Sequence, residues 1–197
     1  MTTPMPRPGL RLARVTRDDD RDLPALTALL LDSVAHGASL GFLADLDPAV
    51  ATAWWRAVLD RLGPAHLLWT LHEGERLIGT VQLALCEKPN GRHRAEVQKL
   101  IVHSTARGRG LASVLLRALE QAAAALGCSL LVLDTEAGSL AERVYAHLGW
   151  LKAGEIPAYA ASPDGRLAPT ALYYKLLPAG EETRHHVEHA RDPEPVR

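Results

Sequence analysis

The segment that most restricts the fold is Arg107-Gly108-Arg109-Gly110-Leu111-Ala112, which follows the apolar run Leu100-Ile101-Val102 and leads into a Leu/Ala-rich stretch from Ser113 to Leu126. It reads as strand, tight turn and helix. Two glycines at a helix mouth let the main chain approach a bound group closely. The first helical turn also leaves N–H groups without intrahelical partners, and the dipole there favours negative charge. The combination suits a phosphate or pyrophosphate.

The elements around this turn follow from pattern. Leu10 to Val15 alternates apolar and basic residues and predicts a strand. Thr16 and the acidic run Asp18-Asp19-Asp20 open a helix whose apolar stripe is Leu23, Leu26, Leu30 and Val34. Gly37 to Leu46 reads as a loop. Asp47 as N-cap and Pro48 at the first helical position start a second helix, with Val50, Trp54, Ala57 and Leu62 (or Val58) expected on its inner face and a stop at Gly63-Pro64. Leu67 to Leu71 and Leu77 to Leu85 flank Glu73-Gly74-Glu75 as a hairpin. Asn90-Gly91 turns the chain into a strand from Ala95 to Val102.

The helix after the glycine turn runs from about Gly110 to Leu126, with Val114, Leu115, Ala118, Leu119 and Ala122 expected against the sheet. Leu130 to Leu133, Leu151 to Ile156 and Ala171 to Leu176 read as strands, and Leu140 to Leu148 as a short helix closed by Gly149. The order is that of a mixed α/β layer fold rather than a uniform βαβ series.

The 197 residues fit one domain, expected over 10–178. The ends, 1–9 and 179–197, are expected to be weakly ordered tails. Net charge is −1 and the isoelectric point about 6.8, which argues against nucleic acid as a partner. No apolar run is long enough to cross a bilayer, and the N-terminus lacks a secretory h-region. A cytoplasmic location is the expectation. Cys86 and Cys128 sit in apolar runs and read as small buried hydrophobes rather than a disulfide pair. His185, His186 and His189 lie in the tail without a partnering carboxylate pattern, so no metal site is expected.

Three phosphate-binding patterns compete for the glycine turn. A P-loop needs Lys and Ser/Thr after the second glycine, where Leu111-Ala112 stand. A dinucleotide fingerprint needs a glycine where Ser113 stands. The third pattern, Arg/Gln-x-x-Gly-x-Gly/Ala, is met in full by Arg107, Gly110 and Ala112.

That third pattern is the signature of the GNAT acetyltransferases, which the chain resembles over nearly its whole length. The later Ala141-x-x-x-Tyr145-x-x-x-Gly149-Trp150 segment strengthens the match. Residues 95–100, 133–138 and 163–167 resemble the tabtoxin-resistance acetyltransferases and their close relatives. The resemblance implies an α/β fold of about seven strands, mostly antiparallel, flanked by four helices. It implies acetyl-CoA as co-substrate, without a metal, and direct transfer of acetyl to an amine in a ternary complex. One departure is Gly138, at a place where many members carry an Asn that touches the pantetheine arm. That contact is either lost or made by main chain or water.

Acetyl transfer requires an anchored cofactor, a polarised thioester carbonyl, a neutral amine and a stabilised leaving thiolate. The backbone N–H groups of Arg107, Gly108, Arg109, Gly110, Leu111 and Ala112 are the expected pyrophosphate cradle, with the Arg107 and Arg109 side chains as added charge. The resemblance implies that Leu100, Ile101 and Val102 pair with the pantetheine amides as a strand would. Tyr145 is the candidate acid, the alternative being a core tyrosine. Glu96 and Asp134 are the candidate bases, against a surface carboxylate and a strand-end cap. Simple alternation puts Glu96 on the side of Gln98, Leu100 and Val102. His103 reads as a loop histidine or a proton shuttle. Trp54 is expected in the core and Trp55 at the substrate mouth with Phe42 and Leu43; Tyr159 is either a surface aromatic or reaches the acceptor.

The acceptor is expected to be a small amine, an amino acid or a β-lactam-like amino acid, and the last two strands offer an edge for a homodimer. Two other classes stay open. A catalytically silent acetyl-CoA-binding module would bind the cofactor without releasing thiol, and a nucleotide-binding protein would prefer ATP or NAD.

Overall fold

The computed structural model describes residues 9–17 and 20–178. The chain forms β1 (Leu10–Arg14), α1 (Leu23–Ala35), α2 (Pro48–Asp60), β2 (His66–Glu73), β3 (Arg76–Leu85), β4 (Arg94–Val102), α3 (Leu111–Ala125), β5 (Leu130–Glu136), α4 (Leu140–His147), β6 (Leu151–Ala161) and β7 (Leu167–Leu176). Short 3-10 turns at Pro89–Gly91 and Ser104–Ala106 enter and leave β4. The strands make one sheet in the order β1-β2-β3-β4-β5-β7-β6. Only β4 and β5 run parallel, and every other neighbour is antiparallel. This is the seven-strand mixed sheet with four helices expected from the sequence.

Each face of the sheet is covered separately. On one side α3 buries Leu115, Leu116 and Leu119 against Val81, Leu83 and Leu131, and Tyr145 of α4 joins the same cluster. On the other, α1 and α2 bury Leu26, Leu29, Leu30, Trp55 and Val58 against Leu68 and Ile101. Apolar side chains at helical spacing make this possible, because only one stripe of each helix has to leave water.

The local signals act where chemistry dictates. The Asp47 carboxylate accepts the Ala49 N–H at 2.6 Å and caps α2, with Pro48 in the first turn. Leu23, Leu26, Leu30 and Val34 are all buried as their spacing predicts. Two details differ. Helix α1 begins at Leu23 rather than in the acidic run, because Pro24 suits a first turn; Asp18 and Asp19 lie outside the described residues. The α3 stripe centres on Leu111, Leu115, Leu116, Leu119 and Ala123, while Val114, Ala118 and Ala122 are only half-buried.

The larger correction concerns α2. Its buried residues are Ala51, Trp55, Val58 and Leu59, so Val58 is buried as expected, as is Leu62 beyond the helix, but Val50, Trp54 and Ala57 give way to Ala51 and Trp55, one residue on. Trp55 is fully enclosed, whereas Val50 is exposed and Trp54 half-buried. Both stripes have helical spacing; packing against α1 selects the second, which places four consecutive core contacts at i, i+4, i+7 and i+8. The two cysteines are free thiols, Cys128 buried and Cys86 half-buried beside Arg94.

Candidate active site

The parallel pairing of β4 and β5 lasts for only three residue pairs, Arg94↔Leu130, Ala95↔Leu131 and Glu96↔Val132. Beyond Glu96 the strands diverge. Main-chain N–H and C=O groups of 97–102 on that edge are left without a strand partner, which is costly unless something else pairs with them. The opening is a cleft of about 1070 Å³ lined by both strands, the 106–113 turn, α4 and the loop after α1.

A bulge in β4 shapes this opening. Gln98 faces Gln82 across the β3 ladder, but the next pair is Ile101 with Thr80, so two residues of β4 oppose one of β3. Lys99 takes a left-handed backbone, φ 48°. Bulges re-aim side chains by breaking the period of two. Here the consequence is a correction: Ile101, not Leu100 or Val102, keeps the side of Glu96 and Gln98. Ile101 joins the α1–α2 cluster, and Leu100 and Val102 pack toward α3.

At the far end of β4 the glycine turn sits where expected. Gly108 and Gly110 have φ of 73° and 75°, a conformation that favours glycine. A Cβ on either would meet open space, so both face room that a ligand can fill. Gly110 caps the mouth of the 15-residue α3, and Arg107, Gly108, Gly110, Leu111 and Ala112 all line the cleft. The turn's N–H donors therefore fit a diphosphate on geometry as well as on charge. The two arginines differ. Arg107 lines the cleft and donates from Nε to the Val102 carbonyl at 3.3 Å. Arg109 instead forms a salt bridge with Glu73 at the end of β2. The preceding turn is held by Asp32 of α1, which accepts the Ser104 N–H at 2.8 Å and its hydroxyl at 2.7 Å. His103 is tied to Arg76 and Asp32 and does not line the cleft.

Tyr145 projects from α4 into the cleft lining while its ring stays 6% exposed, 5.8 Å from Trp150 and 6.1 Å from Tyr173 between centroids. Burial and the charge of Asp134 both push its phenol well above the ordinary tyrosine value. A phenol so placed keeps its proton and is available as a donor. Glu96 and Asp134 are exposed and line the same cleft. Because Glu96 pairs with Val132, and Asp134 lies two residues on, both carboxylates share one face. Glu96 also accepts the Gln98 amide N–H at 2.9 Å.

Helix α4 is fixed by a capping arrangement. The Ser139 hydroxyl accepts the Glu142 N–H at 3.3 Å, and the Glu142 carboxylate accepts the Gly138 N–H at 2.6 Å. The Gly138 main-chain donor is thus already used within the protein. Glu142 also accepts from the Tyr173 hydroxyl at 2.8 Å and from Lys152 at 2.6 Å. Lys152, the Gly138 N–H and Tyr173 together pull the Glu142 carboxyl down to about 2. A depressed carboxylate stabilises the fold above its unfolded value and loses that contribution as pH falls through the folded one. Glu142→Gln is therefore expected to cost about 1–2 kcal/mol at neutral pH, reduced by the partial exposure of Lys152. The gap from wild type should close between about pH 4.5 and about pH 2. Denaturant titrations across that range check it; a pH-independent gap contradicts it.

Several cleft residues were not singled out from sequence. Lys99 is half-buried with its Nζ 5.6 Å from the Trp54 ring centroid. Trp54, expected in the core, lines the cleft and meets Phe42 edge-on at 5.6 Å. Gln82, Arg61, Glu136 and Arg143 also line it; Tyr159, which the sequence did mark, is exposed and lines it too. Residues 37–41 contribute from the loop, whereas Leu43 does not. The loop is joined to the β6–β7 turn through the Ala44 N–H and Pro163 carbonyl, 2.9 Å. No sequence signal marks Lys99, since unbroken alternation would point it away from Glu96. Among the described residues no three His, Cys, Asp or Glu side chains cluster as a metal site, and no helix is long and apolar enough to cross a membrane. His185, His186 and His189 lie outside the described residues.

Comparison with known proteins adds independent support. The sequence model of the acetyltransferase (GNAT) family matches residues 33–150, more than half of the chain. N-acetyltransferase 8B of Rattus norvegicus is 35% identical over 89 residues, covering 44% of this chain and 40% of that relative's length. Among solved structures, an N-acetyltransferase from Staphylococcus aureus Mu50 superposes with a TM-score of 0.69 at 19% identity, covering 85% of this chain and 98% of its own. A Salmonella typhimurium protein solved with its cofactor acetyl-CoA gives 0.68 at 19% identity, covering 88% and 96%. Strand order, splayed β4–β5 edge, glycine turn and family model agree: the chain belongs to the acetyltransferase (GNAT) family.

Proposed function

We propose that the protein is an acetyl-CoA-dependent N-acetyltransferase that acts on a small-molecule amine by direct attack in a ternary complex. The observation that carries this reading is the continuity of one cleft from the left-handed glycines at the mouth of α3, along the unpaired edge of 97–102, to Tyr145 and the two carboxylates. Bound acetyl-CoA would supply a thioester carbonyl open to attack by an amine.

The chain's own residues divide the work. The 107–112 amides and Arg107 hold the diphosphate. The main chain of Leu100, Ile101 and Val102 pairs with the pantetheine amides in the manner of an added strand, and an N–H of Ile101 or Val102 polarises the acetyl carbonyl. Glu96 or Asp134 takes the proton of the attacking amine, directly or through water. Tyr145 donates to the departing thiolate. The likeness of residues 95–100, 133–138 and 163–167 to tabtoxin-resistance acetyltransferases supports an amino acid or β-lactam-like acceptor. The edge strand β6, with Leu151, Ile156 and Tyr159 exposed, supports a homodimer. We place the catalytic domain at 10–178 and the protein in the cytoplasm, without nucleic acid or membrane as partner.

The test is thiol release from acetyl-CoA over a panel of amines, run beside calorimetry with CoA, ATP and NAD. Binding of CoA with release for at least one small amine is expected. Cofactor binding with no release for any acceptor would mark a silent module, and preference for ATP or NAD would overturn the reading altogether.

A further inference from the structure

Lys99 is a cation on the α1–α2 side of the cleft whose placement the proposed chemistry leaves unused. Its ammonium offers three N–H donors, yet among the described residues it has neither a hydrogen-bond partner nor an ion pair within 4.0 Å. The ammonium of this half-buried residue is therefore open to a ligand in the cleft. Burial pulls its affinity for the proton down, while the charges of Asp134 and Glu96 act from a longer range to hold it up. Neither carboxylate closes on it, and Glu96 is already engaged by Gln98. The ammonium lies instead over the Trp54 ring, 5.6 Å from its centroid, and the backbone at Lys99 takes the left-handed conformation that the bulge imposes. Such strain persists where the surroundings hold the residue in place, and it clusters at ligand sites.

The neighbourhood favours an anion at this point. Gln82, one residue out of register with Lys99 across the β3–β4 ladder, is 1% exposed and lines the cleft, with its amide toward His66 of β2. Arg61 enters from the end of α2 and His36 from the end of α1. The opposite requirement, an amine, is met by Glu96, three residues back on the same strand, and by Asp134 on the neighbouring β5.

We propose that Lys99 determines acceptor specificity by receiving a carboxylate carried by the acceptor itself, so that the substrate is an amino-acid-like zwitterion rather than a simple amine or polyamine. This rests on the N-acetyltransferase reading. Asp134 and Glu96 draw in the ammonium end, and one or the other relieves it of its proton. Lys99 holds the carboxylate end over Trp54 and so fixes which nitrogen faces the thioester. Lys99 is here a binding residue and takes no part in proton transfer.

The experiment compares amino acids with their matched primary amides in wild type, Lys99→Met and Lys99→Arg. Steady-state thiol release is read together with calorimetric binding of each acceptor to the CoA-loaded protein. Met keeps an unbranched stem and removes the charge. Wild type should prefer the acid, and Lys99→Met should raise the KM and the Kd for the acid by roughly 10- to 100-fold, the worth of a hydrogen-bonded charge contact. The KM for acetyl-CoA and the parameters for the amide should hardly move, and Lys99→Arg should recover part of the preference. An acid-to-amide ratio that is the same in wild type and Lys99→Met overturns the assignment. Thermal melting of both variants identifies a folding defect, in which case Lys99→Gln serves in its place. Absence of thiol release with every acceptor sinks the transferase reading instead; the calorimetric acid-to-amide ratio then still decides on the carboxylate site.

Discussion

Tyr145→Phe should lower kcat by about two to three orders of magnitude, the usual contribution of a positioned acid, and leave the KM for acetyl-CoA close to wild type. The phenylalanine ring keeps the contacts at 5.8 Å to Trp150 and 6.1 Å to Tyr173, so the fold has little reason to respond. What is lost is one O–H at the edge of the cleft. Burial and the negative charge of Asp134 keep that hydroxyl protonated far above neutral pH, which makes it a dependable donor and a useless base. A thiolate leaving without a donor in a half-desolvated site must carry its full charge, and the transition state rises accordingly. Steady-state kinetics with any accepted amine decides the matter. An unchanged kcat would remove Tyr145 from the chemistry and return it to the core-tyrosine reading.

The second large effect separates two adjacent tryptophans. Trp55→Ala should destabilise the protein by about 3–5 kcal/mol, as expected for emptying a fully enclosed aromatic site. That is a large share of the 5–15 kcal/mol that holds a typical domain together. Trp54→Ala should cost far less in stability, because the ring is half-buried between Phe42 and the Lys99 ammonium, and should act chiefly on acceptor KM. The two rings touch at 4.8 Å, so some coupling between the variants is expected. Denaturant unfolding of both variants, paired with acceptor kinetics, is the check. A similar and small loss of stability in both would contradict the placement of Trp55.

The tryptophan pair also shows how far sequence pattern reaches. Val50, Trp54 and Ala57 follow helical spacing as well as Ala51, Trp55 and Val58 do, and periodicity alone cannot rank stripes one residue apart. Capping is different, since it is decided by a single residue and its next neighbours. Asp47 and Pro48 start α2 as expected, and Gly127 and Gly149 follow the ends of α3 and α4 with positive φ. Strand length was read short at β5, β6 and β7, because their outer halves carry polar or proline-interrupted residues that pair only within the sheet. In the cleft, Glu96, Asp134, Tyr145 and the glycine turn were each marked by residue type and motif. Lys99 was not, because its access to the cleft depends on a bulge.

Sequence by itself determined the order of elements, the start of α2, the glycine ends of α3 and α4 and the glycine turn, together with the residue types that acyl transfer calls for. All of these depend on interactions within a few residues along the chain. Tertiary structure alone decided three things: which face of α2 enters the core, where β4 slips register at Lys99, and how soon β4 and β5 part after Glu96. Those depend on which backbone donors and apolar faces of distant segments remain to be matched, a balance that exists only once the sheet has assembled.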